Sequence, residues 1–588
     1  MQNAGIPALA PDAETPPRRG VNRRLGCALA IIALALVLTG LFVVEGRTSY
    51  FQARLFSKEA AHLTYHLAPG ASDSVFYPEG GPMDVRRGYA LIPEAVAKLE
   101  QQGYRVTSQA RMSARHLELC RRGIYPIYHE KSKAGLLLYD ASEDTLYAAA
   151  FPQRYYRNYD SIPRLVRESL LFIENRELLN VDRRYRNPAV EWDRLGKATL
   201  DFMTGLLDPH HPQPGGSTLA TQIEKFSHSP GGRTSSAREK LRQMISASLR
   251  AYLDGPDTRA ARKDIVLEYV NQVPLAAVPG YGEVIGLGDA LWAWYGADFD
   301  RVNRLLEDPD QLEGPELAAA GLAMKQALSL FVAQRRPSES LTGEREKLVA
   351  DTDRYLRLLG TAGILSPKVR DAALAQRLSF RSPASTPIPT SFVDRKAANA
   401  IRTRLLNLLD LKQLYALDRI DLIAKTTLDG DSQAGVAHIV RDLTDPQVAG
   451  ALGLYGEHLL APDRRDVIYS FTLYEVMSTE NVLRVQVDNW NQPLDINEGT
   501  KLDLGSTAKL RTLIYYLEII AKLHAAYAGQ SSSQLRHRMD PEASVLRNWA
   551  LDYLSSASDT SLAAMLEAAM QRQYSSSTGE VFFTGGGQ

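Results

Sequence analysis

Arg18, Arg19, Arg23 and Arg24 stand directly before LGCALAIIALALVLTGLFVV, an uncharged apolar run from Leu25 to Val44. A helix rises 1.5 Å per residue, so about twenty such residues match the ~30 Å hydrocarbon core of a bilayer. A cleaved signal peptide has a shorter apolar core, of roughly 7 to 15 residues, and a small-residue cleavage site. The run is longer than that and continues into EGRTSYFQARLF, so an uncleaved transmembrane anchor is expected. By the positive-inside rule, residues 1–24 form a cytoplasmic tail and everything after residue 44 lies outside.

This placement limits the chemistry of the remainder. The 588-residue chain has 68 basic and 68 acidic side chains, so no global charge points to nucleic acid and any anion site must be local. Cys27 falls inside the apolar run, which leaves Cys120 without an intramolecular partner. An exported chain of this size without disulfides fits a bacterium better than a disulfide-rich secreted scaffold. No Cys/His cluster has zinc spacing, and His210 and His211 sit in the turn-rich DPHHPQPGG, where a solvated loop is expected.

Residues 45–140 mix alternating stretches such as YRVTSQA with a helix-like PEAVAKLEQQ and read as a small membrane-proximal α/β module. From 141 to 380 the pattern is helical: IPRLVRESLLFIENREL, SSAREKLRQMISASLRAYL, KDIVLEYVNQV and GPELAAAGLAMKQALSLFV carry apolar residues at three- and four-residue spacing. FRSPASTPIPTSF opens a linker over 381–440, which also carries a helix-like DRKAANAIRTRLLNLL and a strand-like DLIAKTTL. Strand-like VIYSFTLYEV and NVLRVQVDNW, then a helix opening at GSTAKLRTLIYYLEIIAKL, make 441–588 the start of an α/β or α+β domain.

Within the helical region, PGGSTLATQIEKF (Pro214 to Phe226) joins a tight turn to a helix start. Ser217 or Thr218 can cap that helix, leaving N–H groups for an anion at its positive end. Gln222 and Lys225 are three residues apart on one helical face, and Arg233, Arg238, Lys240 and Arg242 follow. Such a cluster suits a pyrophosphate, although capping plus a solvated basic face accounts for the stretch taken alone.

The order of motifs resembles glycosyltransferase family 51, the peptidoglycan polymerases of the class A penicillin-binding proteins. The family pattern GGSTxxxQxxK is matched at every fixed position by Gly215 to Lys225, and Glu174-Asn175-Arg176 stands where the family has Glu-Asp-Arg. Arg233-Thr234, the basic helix REKLRQM, the Tyr-x-Asn of EYVNQV and the stretch PGYGEVIGLGDALWAWYGADF follow in order. The resemblance implies a mainly α, lysozyme-like glycosyltransferase domain that joins lipid II units into a nascent glycan strand and releases undecaprenyl pyrophosphate. It makes Glu174 the general base. Lys225, Arg233, Lys240 and Arg242 would serve the pyrophosphate, and Ser217, Thr218 and Gln222 would hold sugar or phosphate oxygens. The third motif departs from the family: Gln243 stands in place of a second glutamate, with Glu239 one turn earlier, about 6 Å along the axis. Asn271 reads as architectural. No resident cofactor is implied; Mg2+ or Mn2+ would arrive with the substrate pyrophosphate.

The linker ends in Thr426-Thr427-Leu428-Asp429, and Ser506-Thr507-Ala508-Lys509 is the one Ser-x-x-Lys of the chain; both resemble the penicillin-binding transpeptidase of the same family. The resemblance makes Ser506 an acyl-enzyme nucleophile and Lys509 its base. No Ser-x-Asn or Lys-Thr/Ser-Gly follows, so the transpeptidase is expected to be incomplete, and truncation is the favoured reason. The resulting expectation is a single-pass protein of the bacterial inner membrane with its catalytic domains outside, working on lipid II beside other cell-wall synthesis proteins. Two other readings stay open: a non-catalytic lipid II-binding or scaffolding protein, and a lysozyme-like hydrolase of the same architecture.

Overall fold

A computed structural model describes residues 20–78, 80–192, 217–382, 396–457, 459–461, 467–492, 496–499, 505 and 508–572. The chain divides into two compact units, Met1–Glu498 and Gly499–Gln588.

Helix α1 (Gly20–Thr48) contains the apolar run, and Leu29, Leu36 and Phe42 are among its exposed side chains. It is followed by α2 (Tyr50–Ala60) after a 65° bend at Ser49, whose φ of 54° places it in the left-handed region. Ser49 makes no side-chain cap. Glu45 caps α2 instead, its carboxylate accepting from the N–H groups of Phe51 (2.8 Å) and Gln52 (2.9 Å) at the positive end of the helix. Asn187 donates to Gln52 Oε1 (2.9 Å) and Ser248 Oγ (2.9 Å), so α2 is tied to the helical domain directly behind it.

That domain is built on α3 (Arg164–Glu174), α4 (Leu219–His228), α5 (Ala237–Ala251), α6 (Arg259–Gln272) and α7 (Gly314–Ala333). Their apolar stripes meet in one core that includes Leu170, Leu219, Val266, Leu328 and Phe331, each wholly or almost wholly buried. Burying one such side chain is worth about 1.5–3 kcal/mol. Helix α7 is itself long and apolar enough to cross a membrane, but most of it is buried inside the domain. Two features show it to be a core helix. Lys325 is buried, donating to the Gln376 carbonyl (2.7 Å) and pairing with Asp353 (2.7 Å). Gly321 meets the helix Pro367–Leu374 so closely that a Cβ would lie 2.6 Å from the Ala372 backbone.

The sheet beside this domain crosses the expected boundaries. Strand β1 (Gly135–Tyr139) pairs antiparallel with β2 (Thr145–Ala148) and parallel with β3 (Asp421–Lys425). Its strands therefore come from the 45–140 module, from the 141–380 segment and from the expected 381–440 linker. The pairing has a direct cause: DLIAK is an extended segment whose backbone groups need partners, and the free edge of β1 provides them. The helix Lys396–Leu408 packs below, and Ile401 and Leu405 join Leu136, Leu138 and Leu417 in a second small core. The 381–440 stretch is thus partly structural.

Past this sheet, the antiparallel hairpin Ser470–Val476 and Asn481–Asp488 covers the helix Gly430–Asp442 through Val485, Val487, Ala437 and Val440. Buried Lys396 pairs with buried Asp488 at 3.0 Å. In the second unit the described residues are helical, with Ala508–Tyr527, Val545–Ser556 and Leu562–Met570 enclosing Ile520, Leu551 and Met565. Lys509 is exposed in the first turn of Ala508–Tyr527, whereas Ser506 lies outside the described residues, as do Gly215, Gly216, His210 and His211.

Candidate active site

Glu174 is the last residue of α3, at the negative end of the helix dipole, and its residue is only 7% exposed. A carboxylate there is disfavoured by about 0.3–1 kcal/mol, so the surroundings must hold it. Gln222 of α4 donates its Nε2 to Glu174 Oε2 (2.8 Å), and Gln334, just beyond α7, donates its Nε2 to Oε1 (2.6 Å). Tyr269 of α6 orders both amides: its hydroxyl donates to Gln334 Oε1 at 2.6 Å and lies 3.3 Å from Gln222 Oε1. Burial, then the Glu174 charge, push this phenol well above its ordinary pKa, which keeps it a donor. Arg335 adds a guanidinium 3.8 Å from Oε1. Arg176, next along the chain, turns back onto Phe172, donating to its carbonyl (3.1 Å) and stacking over its ring.

The cations stand one turn along. Lys225 is half-buried; burial lowers its pKa, and the Glu174 charge opposes that shift, which places the two groups within electrostatic reach. Lys240, from α5, donates to Ser217 Oγ (2.8 Å) and Thr221 Oγ1 (3.4 Å) at the start of α4. Its pKa is pushed down to about 8, by burial first and by Lys225 second. Lys240 at the positive end of α4 and its neighbour Lys225 in the last turn, both partly desolvated, are arranged to receive an anion.

The remaining expected residues divide. Thr218 is the N-cap of α4, forming a reciprocal capping box with Thr221, and is 1% exposed. Its hydroxyl accepts from the Thr221 N–H, whereas half-buried Ser217 faces Lys240. Gln243 is 0% exposed, an internal side chain. Its Nε2 donates to Ser229 Oγ (2.9 Å) and Thr234 Oγ1 (3.0 Å). Glu239 reaches the same place, accepting from Ser229 (2.8 Å) and from the Tyr125 hydroxyl. A carboxylate thus supports the turn that carries Arg233, supplied from one helical turn earlier.

Arg242 is two residues from Lys240, hence on another face of α5, and points to Glu239 (3.5 Å) and the Tyr125 ring. Arg233 is exposed after the short turn Pro230–Gly232. Asn271 clamps Tyr156 through its N–H and carbonyl, both at 2.8 Å, an architectural tie.

Gln334 and Arg335 were not anticipated from sequence. Their only local signal is a polar AQRRP closing an apolar helix, and they lie some 160 positions from Glu174. Because Gln334 positions Glu174, Gln334→Ala should slow turnover about tenfold with KM changed less than twofold, measured as initial rates.

No curated protein matches the chain. Residues 144–359 match the family model described as Transglycosylase. This segment contains α3 to α7 and every residue that surrounds Glu174, so the helical domain of this chain belongs to the transglycosylases, the glycosyl-transferring domains of bacterial peptidoglycan synthesis.

Proposed function

We propose that the chain is a membrane-anchored family 51 glycosyltransferase that polymerises lipid II and releases undecaprenyl pyrophosphate. The observation that carries this reading is Glu174: a nearly buried carboxylate fixed by two amides, with Lys225 within electrostatic reach and Lys240 next to Lys225. Glu174 takes the proton from the attacking sugar 4-hydroxyl as that oxygen bonds to the anomeric carbon of the growing strand. The bond from that carbon to the pyrophosphate oxygen breaks, and Lys225 and Lys240 receive the developing negative charge, with Ser217 adding a hydroxyl and Arg233 a mobile cation at the rim.

The lipid portion of the substrate has a matching surface. Phe51, Leu55 and Phe56 of α2 and Leu241, Met244 and Ile245 of α5 line an apolar groove of about 570 Å³ next to the end of α1. Leu241 is 56% exposed there. This supports α1 as the inner-membrane anchor and the groove as the path of a prenyl chain. Among the described residues no group of three His, Cys, Asp or Glu could hold a metal ion, and no step is routed through one. The transpeptidase role of Ser506 and Lys509 remains a proposal on the motif alone.

The test is product analysis with labelled lipid II in vesicles. Glycan strands formed with one polyprenyl pyrophosphate released per disaccharide unit added support transfer; monomeric reducing disaccharide overturns it in favour of hydrolysis. A pH profile tests the lysine pair. Lys240 loses its charge as pH rises through about 8, so kcat/KM should fall roughly tenfold between pH 8 and 9.5, and Lys240→Arg should move that alkaline limb upward.

A further inference from the structure

Helix α4 has a second polar face, turned away from Glu174. Glu224 and His228 on it are buried and meet Arg250 of α5 and residues of the membrane-proximal module. Arg250 pairs with Glu224 (2.8 Å), His228 with Asp84 (2.9 Å), and Arg87 with Glu130. Burial works against a charge on His228, but its hydrogen bond to Asp84 and the nearby carboxylates of Asp84, Glu224 and Glu130 raise its pKa overall. Three cations thus face three carboxylates, and Glu268 of α6 is a fourth.

A cavity of about 300 Å³ opens among α4, α5 and α6 at this point, at the small end of the range for small-molecule sites. Its inner end is polar: Glu268 Oε1 and both amide atoms of Gln272 have no hydrogen-bond partner, Gln272 is only 2% exposed, and Glu130 Oε1 and Glu224 Oε2 make no hydrogen bond but face His228 Nε2 at 3.5 and 3.9 Å. Ala220, Ile223, Ala247 and Ile265 give it apolar walls, and the Arg250 guanidinium, paired with Glu224, also lines it. Its mouth carries exposed His129, Asp254 and Asp264. Buried polar atoms in a native fold are ordinarily satisfied, and those gathered here are mainly acceptors.

We propose that this cavity binds a small aliphatic diammonium ion. One ammonium group donates its three hydrogens among Glu130, Glu224, Glu268 and Gln272 Oε1, the methylenes lie along the alanine and isoleucine walls, and the second ammonium group meets Asp254 and Asp264 at the mouth. Apolar walls between a polar inner end and an acidic mouth suit a cation whose charges are joined by methylenes better than a bare inorganic ion. The site lies on the opposite side of α4 from Gln222 and Lys225 and does not depend on the reaction proposed above.

Proton competition supplies a signature. Burial, opposed by Arg250 and reinforced by Glu130 and Glu224, pushes the Glu268 carboxyl up to about 7. Arg87 also faces it, and His129 and Asp264 stand at the mouth. Glu268 binds its proton more tightly folded than unfolded, so its contribution to stability is lost as pH rises toward 7. A cation that replaces the proton should therefore bind more tightly at pH 8 than at pH 6.

The experiment is calorimetric titration of the full chain in nanodiscs with putrescine, beside butylamine and magnesium chloride. Expected are saturable one-to-one putrescine binding that tightens from pH 6 to 8, at least tenfold weaker butylamine binding, and at least a tenfold loss in Glu268→Gln. The exposed Asp264→Asn, whose folding is not at risk, should weaken putrescine several-fold and leave butylamine unchanged. No saturable putrescine binding by the folded wild type overturns the proposal. Undiminished binding in folded Glu268→Gln, or magnesium displacing putrescine at equal concentration, also overturns it.

Discussion

Glu174→Gln should lower the polymerisation of lipid II by about 10³-fold, within the 10² to 10⁴ that a positioned general base contributes, while lipid II binding stays within about twofold. The substitution keeps the volume of the side chain and removes its ability to take a proton. It also disturbs the network, because Gln222 and Gln334 each donate an amide hydrogen to a different oxygen of Glu174. A glutamine at 174 offers one oxygen and one amino group, so one of those two donors would face a donor and must rotate. Glu174→Asp separates the two effects. It retains the base but withdraws it by one methylene, and a displacement of about 1 Å costs on the order of 10²-fold. If Glu174→Asp is as inactive as Glu174→Gln, position matters as much as proton affinity. Rates at saturating lipid II, with bound lipid II measured separately, decide between these.

Lys225→Ala should cost about 10² to 10³-fold in the same assay, the usual loss when one group that stabilises developing transition-state charge is removed. Lys225 shares the face of α4 with Gln222, about two turns from the helix start where Lys240 meets Ser217. Its half-buried position means that no solvent cation takes its place at equal strength. Lys225→Arg keeps the charge but not the shape and should recover only part of the rate. Losses in Lys225→Ala and Lys240→Ala should combine to less than their product, because each lysine lowers the cost of charging the other when it is removed. Single-turnover measurements check this. A Lys225→Ala protein with an unchanged chemical step would remove the lysine from the reaction.

Much of this site could be read from spacing. Gln222 and Lys225 fall on one face of α4 because three residues are nearly a helical turn, and the capping signal before Leu219 marks where that helix begins. The same periodicity shows that Lys240 and Arg242 diverge, so a basic helix does not deliver all of its charges to one anion. Periodicity cannot show which distant helix end arrives beside Glu174. Gln334 and Arg335 come from the far end of α7, placed by core packing of Leu328 and Phe331, and Tyr269 sits in a motif whose asparagine alone invites a structural reading. The apolar run announced α1, but its bend onto α2 depends on Glu45 capping the next helix across a left-handed serine. The strand character of DLIAK could be read, but not its partner: β3 pairs with β1 across nearly three hundred residues. Where Gln243 replaces a glutamate, the substitution could be seen in sequence, but the carboxylate of Glu239 meeting it at Ser229 could not.

The most direct test of the central claim is conversion of labelled lipid II by the intact wild-type chain in vesicles, with bound lipid II determined on the same sample. Glycan strands that lengthen with time, absent in the Glu174→Gln protein, are the predicted result. Lipid II bound by the folded wild-type chain and left unconverted would contradict the account and leave a binding role in its place.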